Sequence, residues 1–238
     1  MKVKSKSKKI DKAWLLAHLN DTYVKLSKKE GYRARAAYKL KEIDETLGLL
    51  RPGQVVVDLG AAPGAWSQYV RRKLSVKVSD TVGAGVGPLN GTIIALDILD
   101  FEPIEGVVFI QGDFRESSVL AQLEAAVSGR GVDVVVSDLA PNLTGITSSD
   151  DARIAHLVEL AVDFAAHHLV AGGTLVCKVF HGGNYSELVG LLKSHFRTVK
   201  AIKPKASRDR SSETFLVGMG LKVPHKVVET STKTLLPG

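Results

Sequence analysis

Short β-branched apolar runs alternate along the chain with stretches whose apolar residues fall three and four positions apart. Gln54-Val-Val-Val-Asp58-Leu, entered through Arg51-Pro52-Gly53, is too short for a helix and reads as a buried strand. Runs of the same kind are Thr92–Leu96, Val107–Ile110, Asp133–Val136 and Thr174–Phe180. Between them the spacing predicts helices over Ala65–Leu74, Ser117–Val127, Asp151–Leu169 and Tyr185–Phe196. In the longest, Ile154, Leu157, Val158, Ala161, Ala165 and Leu169 form one apolar stripe. Strands apolar at every position need cover on both faces, and strands separated by helices pair in parallel. The fold class is therefore α/β, a mostly parallel sheet flanked by helices. Thr198–Ile202 and Thr214–Met219 add two late strands joined by a polar, basic loop. Lys77–Asn90, rich in glycine and small residues, is expected to be a surface loop. Three parts follow: a basic flexible extension over 1–12, one domain over 13–220, and a tail over 221–238 that lacks periodicity.

Ligands of open parallel sheets sit at the C-terminal ends of the strands. The polar residues there are Asp58, Asp97, Asp113, Asp138 and Lys178, each just past or at the end of an apolar run. One such acid is explained as a helix cap; a series of them points to a site. The first strand leads into Gly60-Ala-Ala-Pro63-Gly64-Ala-Trp66, where the two glycines allow a tight turn and a close ligand approach. The loop lacks the middle glycine of the dinucleotide fingerprint and the lysine of a phosphate-binding loop. A nucleoside ligand without a pyrophosphate fits better, and S-adenosyl-L-methionine is the expected cofactor. Asp97 is placed to bind its ribose hydroxyls and Asp113 to accept from its adenine amine. Trp66 either stacks on the adenine or fills the core.

Charge changes the picture more than composition does. Hydrophobic residues make up 45% and charged residues 24% of the 238, which is globular, and no apolar stretch reaches the roughly 18 to 20 residues of a membrane span. The net charge of +7 is uneven: residues 1–41 hold 13 Lys/Arg against 3 Asp/Glu. Lys193–Arg210 holds seven more, against Asp209 alone. Two basic blocks on a near-neutral body are the footprint of a polyanion, with nucleic acid the favoured reading. Arg33, Arg35, Lys203, Lys205 and Arg208 are the candidate contacts, and Trp14, Tyr23, Tyr32 and Tyr38 interleave aromatic rings with the first block. The single cysteine, Cys177, excludes a disulfide framework and a cysteine-built zinc site. The seven histidines show no metal-ligand spacing, so no metal is expected. A cytoplasmic monomer without membrane attachment is the simplest expectation.

Several of these segments together carry a family resemblance. Asp58-Leu-Gly-Ala-Ala-Pro-Gly-Ala-Trp-Ser-Gln68, Gln111-Gly-Asp-Phe-Arg115, Ser137-Asp-Leu-Ala-Pro-Asn142 and Lys178-Val-Phe180 resemble the FtsJ-like RNA 2′-O-ribose methyltransferases. Ala34-Arg-Ala-Ala-Tyr-Lys39-Leu and Ser211-Ser-Glu213-Thr-Phe are similar to two further family segments, so the likeness runs from about Trp14 to Gly220. It implies a Rossmann-like methyltransferase domain with a seven-stranded sheet whose last strand is antiparallel. It also implies a catalytic Lys-Asp-Lys-Glu tetrad, carried over as Lys39, Asp138, Lys178 and Glu213. The implied substrate is RNA rather than DNA, a uridine in the A-loop of 23S ribosomal RNA, met within the large subunit. Rival readings are a transfer-RNA or messenger-cap ribose methyltransferase, and a catalytically silent RNA-binding assembly protein of the same fold. The sequence departs from the family at Ala65, where glycine is commoner, and in the long Lys77–Asn90 loop.

The implied reaction is attack of a ribose 2′-hydroxyl on a sulfonium methyl. A sugar hydroxyl is a weak nucleophile and needs a base, for which Lys178 is the candidate. An ordinary lysine, with a pKa of about 10.4, is protonated at neutral pH. Positive neighbours such as Lys39 and the sulfonium oppose that charge, whereas Asp138 and Glu213 favour it. Sequence alone leaves that balance open, as it leaves open a tetrad that works by positioning and electrostatics.

Overall fold

The structure, a computed structural model, describes residues 21–76, 87–141, 147–208 and 211–222. The expected 1–12 extension, Trp14, most of the Lys77–Asn90 loop and nearly all of the C-terminal tail lie outside the described residues. In chain order the elements are α1 Thr22–Glu30, α2 Ala37–Leu47, β1 Val55–Leu59, α3 Ala65–Lys73, β2 Thr92–Asp97, β3 Val107–Gln111 and α4 Ser117–Val127. They continue with β4 Val132–Ser137, α5 Thr147–His168, β5 Leu169–Phe180, α6 Tyr185–His195, β6 Phe196–Ile202 and β7 Glu213–Leu221.

The seven strands form one sheet in the order β3-β2-β1-β4-β5-β7-β6. All pairs from β3 to β5 are parallel, and β7 runs antiparallel to both of its neighbours. The chain moves outward from β1 through β2 to β3, then returns to start β4 on the other side of β1. That reversal makes the C-terminal ends of β1 and β4 the crevice of the sheet. No helix of the described residues is long and apolar enough to cross a membrane.

Side-chain alternation along a strand sends successive residues to opposite faces. Val55, Val57 and Leu59 of β1 join Val135, Leu175, Cys177 and Val179 in a core covered by α4, α5 and α6. Val56, Ile93, Val134, Val136, Val176, Phe215 and Val217 face the other way, beneath α1, α2 and α3. The same parity carries Asp58, Asp97, Lys178 and Glu213 to the α2–α3 face. Strands β1, β2, β5 and β7 each contribute a polar residue to one side of the sheet, and this is how residues distant in sequence meet.

Two helices, α1 and α2, were not signalled by the hydrophobic runs, because charged residues interrupt their short apolar stripes. Their ends are nevertheless well specified. The Asp21 carboxylate accepts from the N–H groups of Tyr23 and Val24 at 2.9 and 3.3 Å, and Gly31 closes α1 in the left-handed conformation at φ +69°. Ala37, Leu40, Ile43 and Asp44 form the buried stripe of α2. Strand β5 starts five residues before the apolar run that predicts it. Leu169 pairs with Val132, after which the register shifts, and Gly172 takes a positive φ of +84°, so alternation becomes legible only from Thr174.

Candidate active site

The glycine loop leaves β1 and enters α3 at the sheet crevice. Gly60 has φ +80° and donates its N–H to the Leu96 carbonyl at 2.9 Å. A Cβ on Gly60 would lie 2.9 Å from the Leu139 nitrogen, so the β1 and β4 ends approach too closely for any side chain. Gly64 has φ +92°, and a Cβ there would meet Phe101, Arg33 and Ile104 at 2.9 to 3.0 Å. The expected reason for Gly64, room for the ligand, is therefore incomplete: its hydrogen faces packed side chains behind the loop. Pro63 follows a cis peptide bond from Ala62 and stands exposed at the tip.

Asp97, at the end of β2, accepts from the Ala62 N–H through Oδ2 and from the Leu99 N–H through Oδ1, both at 2.8 Å. It ties the glycine loop to the loop after β2 while its other lone pairs stay available. Asp58 is wholly buried; Oδ2 accepts from the Ser67 hydroxyl at 2.6 Å, and Oδ1 has no hydrogen-bond partner. Burial pushes its carboxyl up to about 7; the Ser67 bond opposes this, and the Asp138 and Asp97 charges add to it.

The four tetrad residues come together on the α2–α3 face as two ion pairs. Lys178 Nζ lies 3.0 Å from Asp138 Oδ1 and donates to the Asp138 carbonyl at 2.7 Å. Lys39 Nζ lies 2.6 Å from Glu213 Oε1 and donates to Oε2 at 2.8 Å. Register brings the pairs side by side, since Lys178 opposes Phe215 and Phe180 opposes Glu213 across β5 and β7. Lys39 also stands 5.8 Å from the Phe215 ring centre. Burial alone would raise the Glu213 carboxyl, but Lys39, the 2.8 Å Ser207 hydroxyl bond and Lys178 together hold it below the usual carboxylate range.

Cofactor fit follows from the donor set. A buried carboxylate oxygen without a donor at Asp58 and a glycine cradle suit a cationic nucleoside such as S-adenosylmethionine. Asp113 is less free than expected. Both its oxygens are taken by Arg115, at 2.5 to 3.1 Å, which also holds its carboxyl below the usual range. An adenine amine would compete with that guanidinium. Trp66 departs from the cofactor-wall expectation. It is 2% exposed, its indole N–H donates to the Ala36 carbonyl at 2.8 Å, and its ring packs 5.6 Å from Phe215. Its role is to fasten α3 to the start of α2, so it is corrected to a core residue.

The basic residues divide into two groups. Arg35 is bonded to Asp21 and to the Ala206 carbonyl, and Arg33 to the carbonyls of Pro63, Glu102 and Pro103. These intramolecular ties occupy forks that were expected to hold RNA phosphates. Lys205 and Arg208 are exposed, and Lys203, also exposed, donates to the Ser211 carbonyl at 2.9 Å. Their loop is pinned from α2, because the Glu42 carboxylate accepts from the N–H groups of Lys205 and Ala206 at 2.6 and 3.0 Å. Tyr32 and Tyr38 are buried in an aromatic cluster with Tyr23, beyond reach of an RNA base. Sequence reasoning missed Ser207 and Glu42; a Glu in α2 facing a loop about 160 residues later leaves no local signal.

Comparison with known proteins places this geometry. The FtsJ-like methyltransferase family matches residues 32–221. A relative called ribosomal RNA large subunit methyltransferase E, from Methylibium petroleiphilum, is 73% identical over 222 residues, covering 93% of this chain and 99% of its own. The protein of the same name from Paracidovorax citrulli is 70% identical over 93% of this chain and 100% of its own. Among solved structures, one described as a ribosomal RNA methyltransferase from Plasmodium falciparum superposes with a TM-score of 0.66 at 28% identity, covering 80% of this chain and 98% of that one. With its glycine cradle, strand-end carboxylates and paired lysines, the chain belongs to the FtsJ-like methyltransferase family.

Proposed function

We propose that this chain transfers the methyl group of S-adenosylmethionine to the 2′-hydroxyl of a uridine ribose in 23S ribosomal RNA, within the large ribosomal subunit, as a cytoplasmic monomer. The observation that carries the reading is the pair of adjacent ion pairs, Lys178–Asp138 and Lys39–Glu213, at the sheet crevice beside the glycine cradle. The names of the two relatives support the choice of large-subunit RNA.

When bound, S-adenosylmethionine supplies an electrophilic methyl on a sulfonium. The chain's own residues prepare the nucleophile. A neutral lysine has two N–H bonds and one lone pair. The Asp138 carbonyl, at 2.7 Å, accepts one of those N–H bonds and Asp138 Oδ1 stands 3.0 Å from the nitrogen, so once Lys178 has released the extra proton of its ion pair to solvent, its lone pair can take the hydroxyl proton. Lys39, fixed by the ionised Glu213, adds positive charge where the oxygen becomes anionic. The Ser207 hydroxyl donates to Glu213 Oε1, the oxygen 2.6 Å from Lys39, and keeps that pair in one orientation.

Radiolabelled methyl transfer to large-subunit particles, free 23S RNA and transfer RNA tests the reading. Label should appear on the particle as an alkali-resistant ribose methyl. Label on transfer RNA alone, or on a base, overturns it.

Asp58 gives cofactor binding a pH signature. Its carboxyl titrates near 7 in the free protein, and a cationic amino group beside it would favour the carboxylate. Below that pH binding must release a proton, so affinity should fall with acidification, by up to about tenfold per pH unit, and level off above 7. Calorimetry from pH 5.5 to 7.5, in buffers of different ionisation enthalpy, reads both slope and proton release. Asp58→Asn should remove the slope; a slope that persists in it places the titration elsewhere.

The RNA-docking reading now rests on Lys203, Lys205 and Arg208. Each neutralised phosphate contributes about −0.7 to the log–log salt slope for single strands. Replacing all three with Ala should flatten the slope by about two and raise the KM for RNA, leaving cofactor affinity as it was. An unaltered slope makes this loop an ordinary solvated surface.

A further inference from the structure

We infer that Arg33 is a positioning residue that clamps the two walls of the cofactor site, and that it is not an RNA contact. The inference rests on the reading that the glycine loop and Asp97 hold the cofactor. Arg33 lies outside both walls, in the segment between α1 and α2. Its Nη1 donates to the Pro63 carbonyl, at 3.2 Å, and to the Glu102 carbonyl; Nη2 donates to the Pro103 carbonyl at 2.9 Å. Pro63 belongs to the loop after β1, whereas Glu102 and Pro103 belong to the loop after β2. One planar group therefore spans the gap between the segments expected to flank the nucleoside. The fork geometry matters here, because guanidinium donors point in fixed, diverging directions and a lysine ammonium offers only one centre.

The packing around the group is equally specific. The guanidinium carbon sits 5.6 Å from the Phe101 ring centre, on the same post-β2 loop. A Cβ on Gly64 would come within 3.0 Å of Arg33 Nη1 and 2.9 Å of Phe101. The glycine that opens α3 is thus matched to the clamp behind it. Arg33 is itself anchored: its backbone N–H donates to Gln68 Oε1 at 2.9 Å, and Gln68 Nε2 donates to the Gly31 carbonyl at 2.9 Å. On the ligand side, the Ala62 N–H to Asp97 bond joins the same two loops. Arg33 and Asp97 thus tie the loop pair together at separate points. A phosphate would have to displace backbone carbonyls to claim the fork, so a direct RNA role is disfavoured on geometry.

Arg33→Met keeps an apolar stem over Phe101 and removes every donor, and Arg33→Lys keeps the charge without the fork. Arg33→Met should raise the KM for S-adenosylmethionine about tenfold, and Arg33→Lys should raise it by less. Turnover at saturating cofactor should change less than threefold, and the RNA KM and its salt slope should not move. Hydrogen exchange on the ligand-free protein isolates the clamp from the cofactor reading: the Ala62 and Leu99 amides should exchange at least tenfold faster in Arg33→Met, with strand amides unchanged. Loss of protection without loss of cofactor affinity would keep the tie but reject its role in binding. Asp97→Ala serves as the control for the site, and unchanged cofactor affinity in that variant would overturn the cofactor reading itself. A raised RNA KM or flattened salt slope in Arg33→Met, with cofactor affinity and protection unaltered, would make Arg33 an RNA contact and overturn the inference.

Discussion

Lys178→Ala should lower single-turnover methyl transfer by about 10²- to 10⁴-fold, the range of a general-base contribution, and leave S-adenosylmethionine affinity within a few-fold. The separation follows from position. Lys178 touches Asp138 and faces the Lys39–Glu213 pair, whereas the glycine cradle is joined to Asp97 through Ala62. Removing the amine also strands Asp138 Oδ1, a buried oxygen with no hydrogen bond of its own, so a modest loss of stability accompanies the loss of rate. Lys178→Arg is the sharper measurement. Arginine stays protonated and cannot accept the hydroxyl proton, yet it preserves positive charge near the oxygen. A base requires Arg to be as slow as Ala in single-turnover kinetics. Partial activity in Lys178→Arg would mean that the tetrad acts through positioning and charge, and near-wild-type rates in Lys178→Ala would remove the base role altogether.

Much of this arrangement was legible in the chain before the fold was known. The strand-end acids and Lys178 could be read because buried parallel strands are apolar throughout, which makes the first polar residue after each run conspicuous. The α/β class and four of the helices followed from the same contrast, with Ser117–Val127 unchanged and the other boundaries shifted by at most four residues. What stayed hidden has a common cause. The functions of Arg33, Arg35 and Glu42 depend on backbone carbonyls and N–H groups far away in sequence, such as Arg35 with Ala206 and Glu42 with Lys205. A backbone group carries no residue identity, so nothing in the sequence marks it as a partner. Net charge is misleading for the same reason. Arg33 and Arg35 count as basic residues in any tally, although the structure commits both to holding loops together. Trp66 was ambiguous because an aromatic residue in a glycine loop suits a ligand stack and a core equally, and only its bond to Ala36 and contact with Phe215 decide.

Gly60→Ala should reduce cofactor affinity at least 100-fold and slow methyl transfer as well, a combined loss larger than Asp97→Ala should produce. Two effects add. Gly60 has φ +80°, where an alanine costs roughly 1 to 2 kcal/mol relative to glycine. The new methyl would also lie 2.9 Å from the Leu139 nitrogen, 3.0 Å from its Cα and 3.1 Å from its side chain. The first two are backbone atoms that cannot rotate away, so the ends of β1 and β4 must separate. The Asp138 N–H donates to the Leu59 carbonyl at 3.0 Å, and this bond is the hinge of that separation. Moving Leu139 therefore moves Asp138, and with it the acceptors that orient Lys178. One methyl group should thus disturb the cradle and the base together. Gly64→Ala offers the contrast: its Cβ meets side chains of Phe101, Arg33 and Ile104, which can shift, so the damage should fall mainly on cofactor KM. Calorimetry and single-turnover kinetics on both variants, with thermal melts to confirm folding, measure the difference. If Gly60→Ala binds cofactor like the wild type, the close approach of the two strand ends does not shape the site.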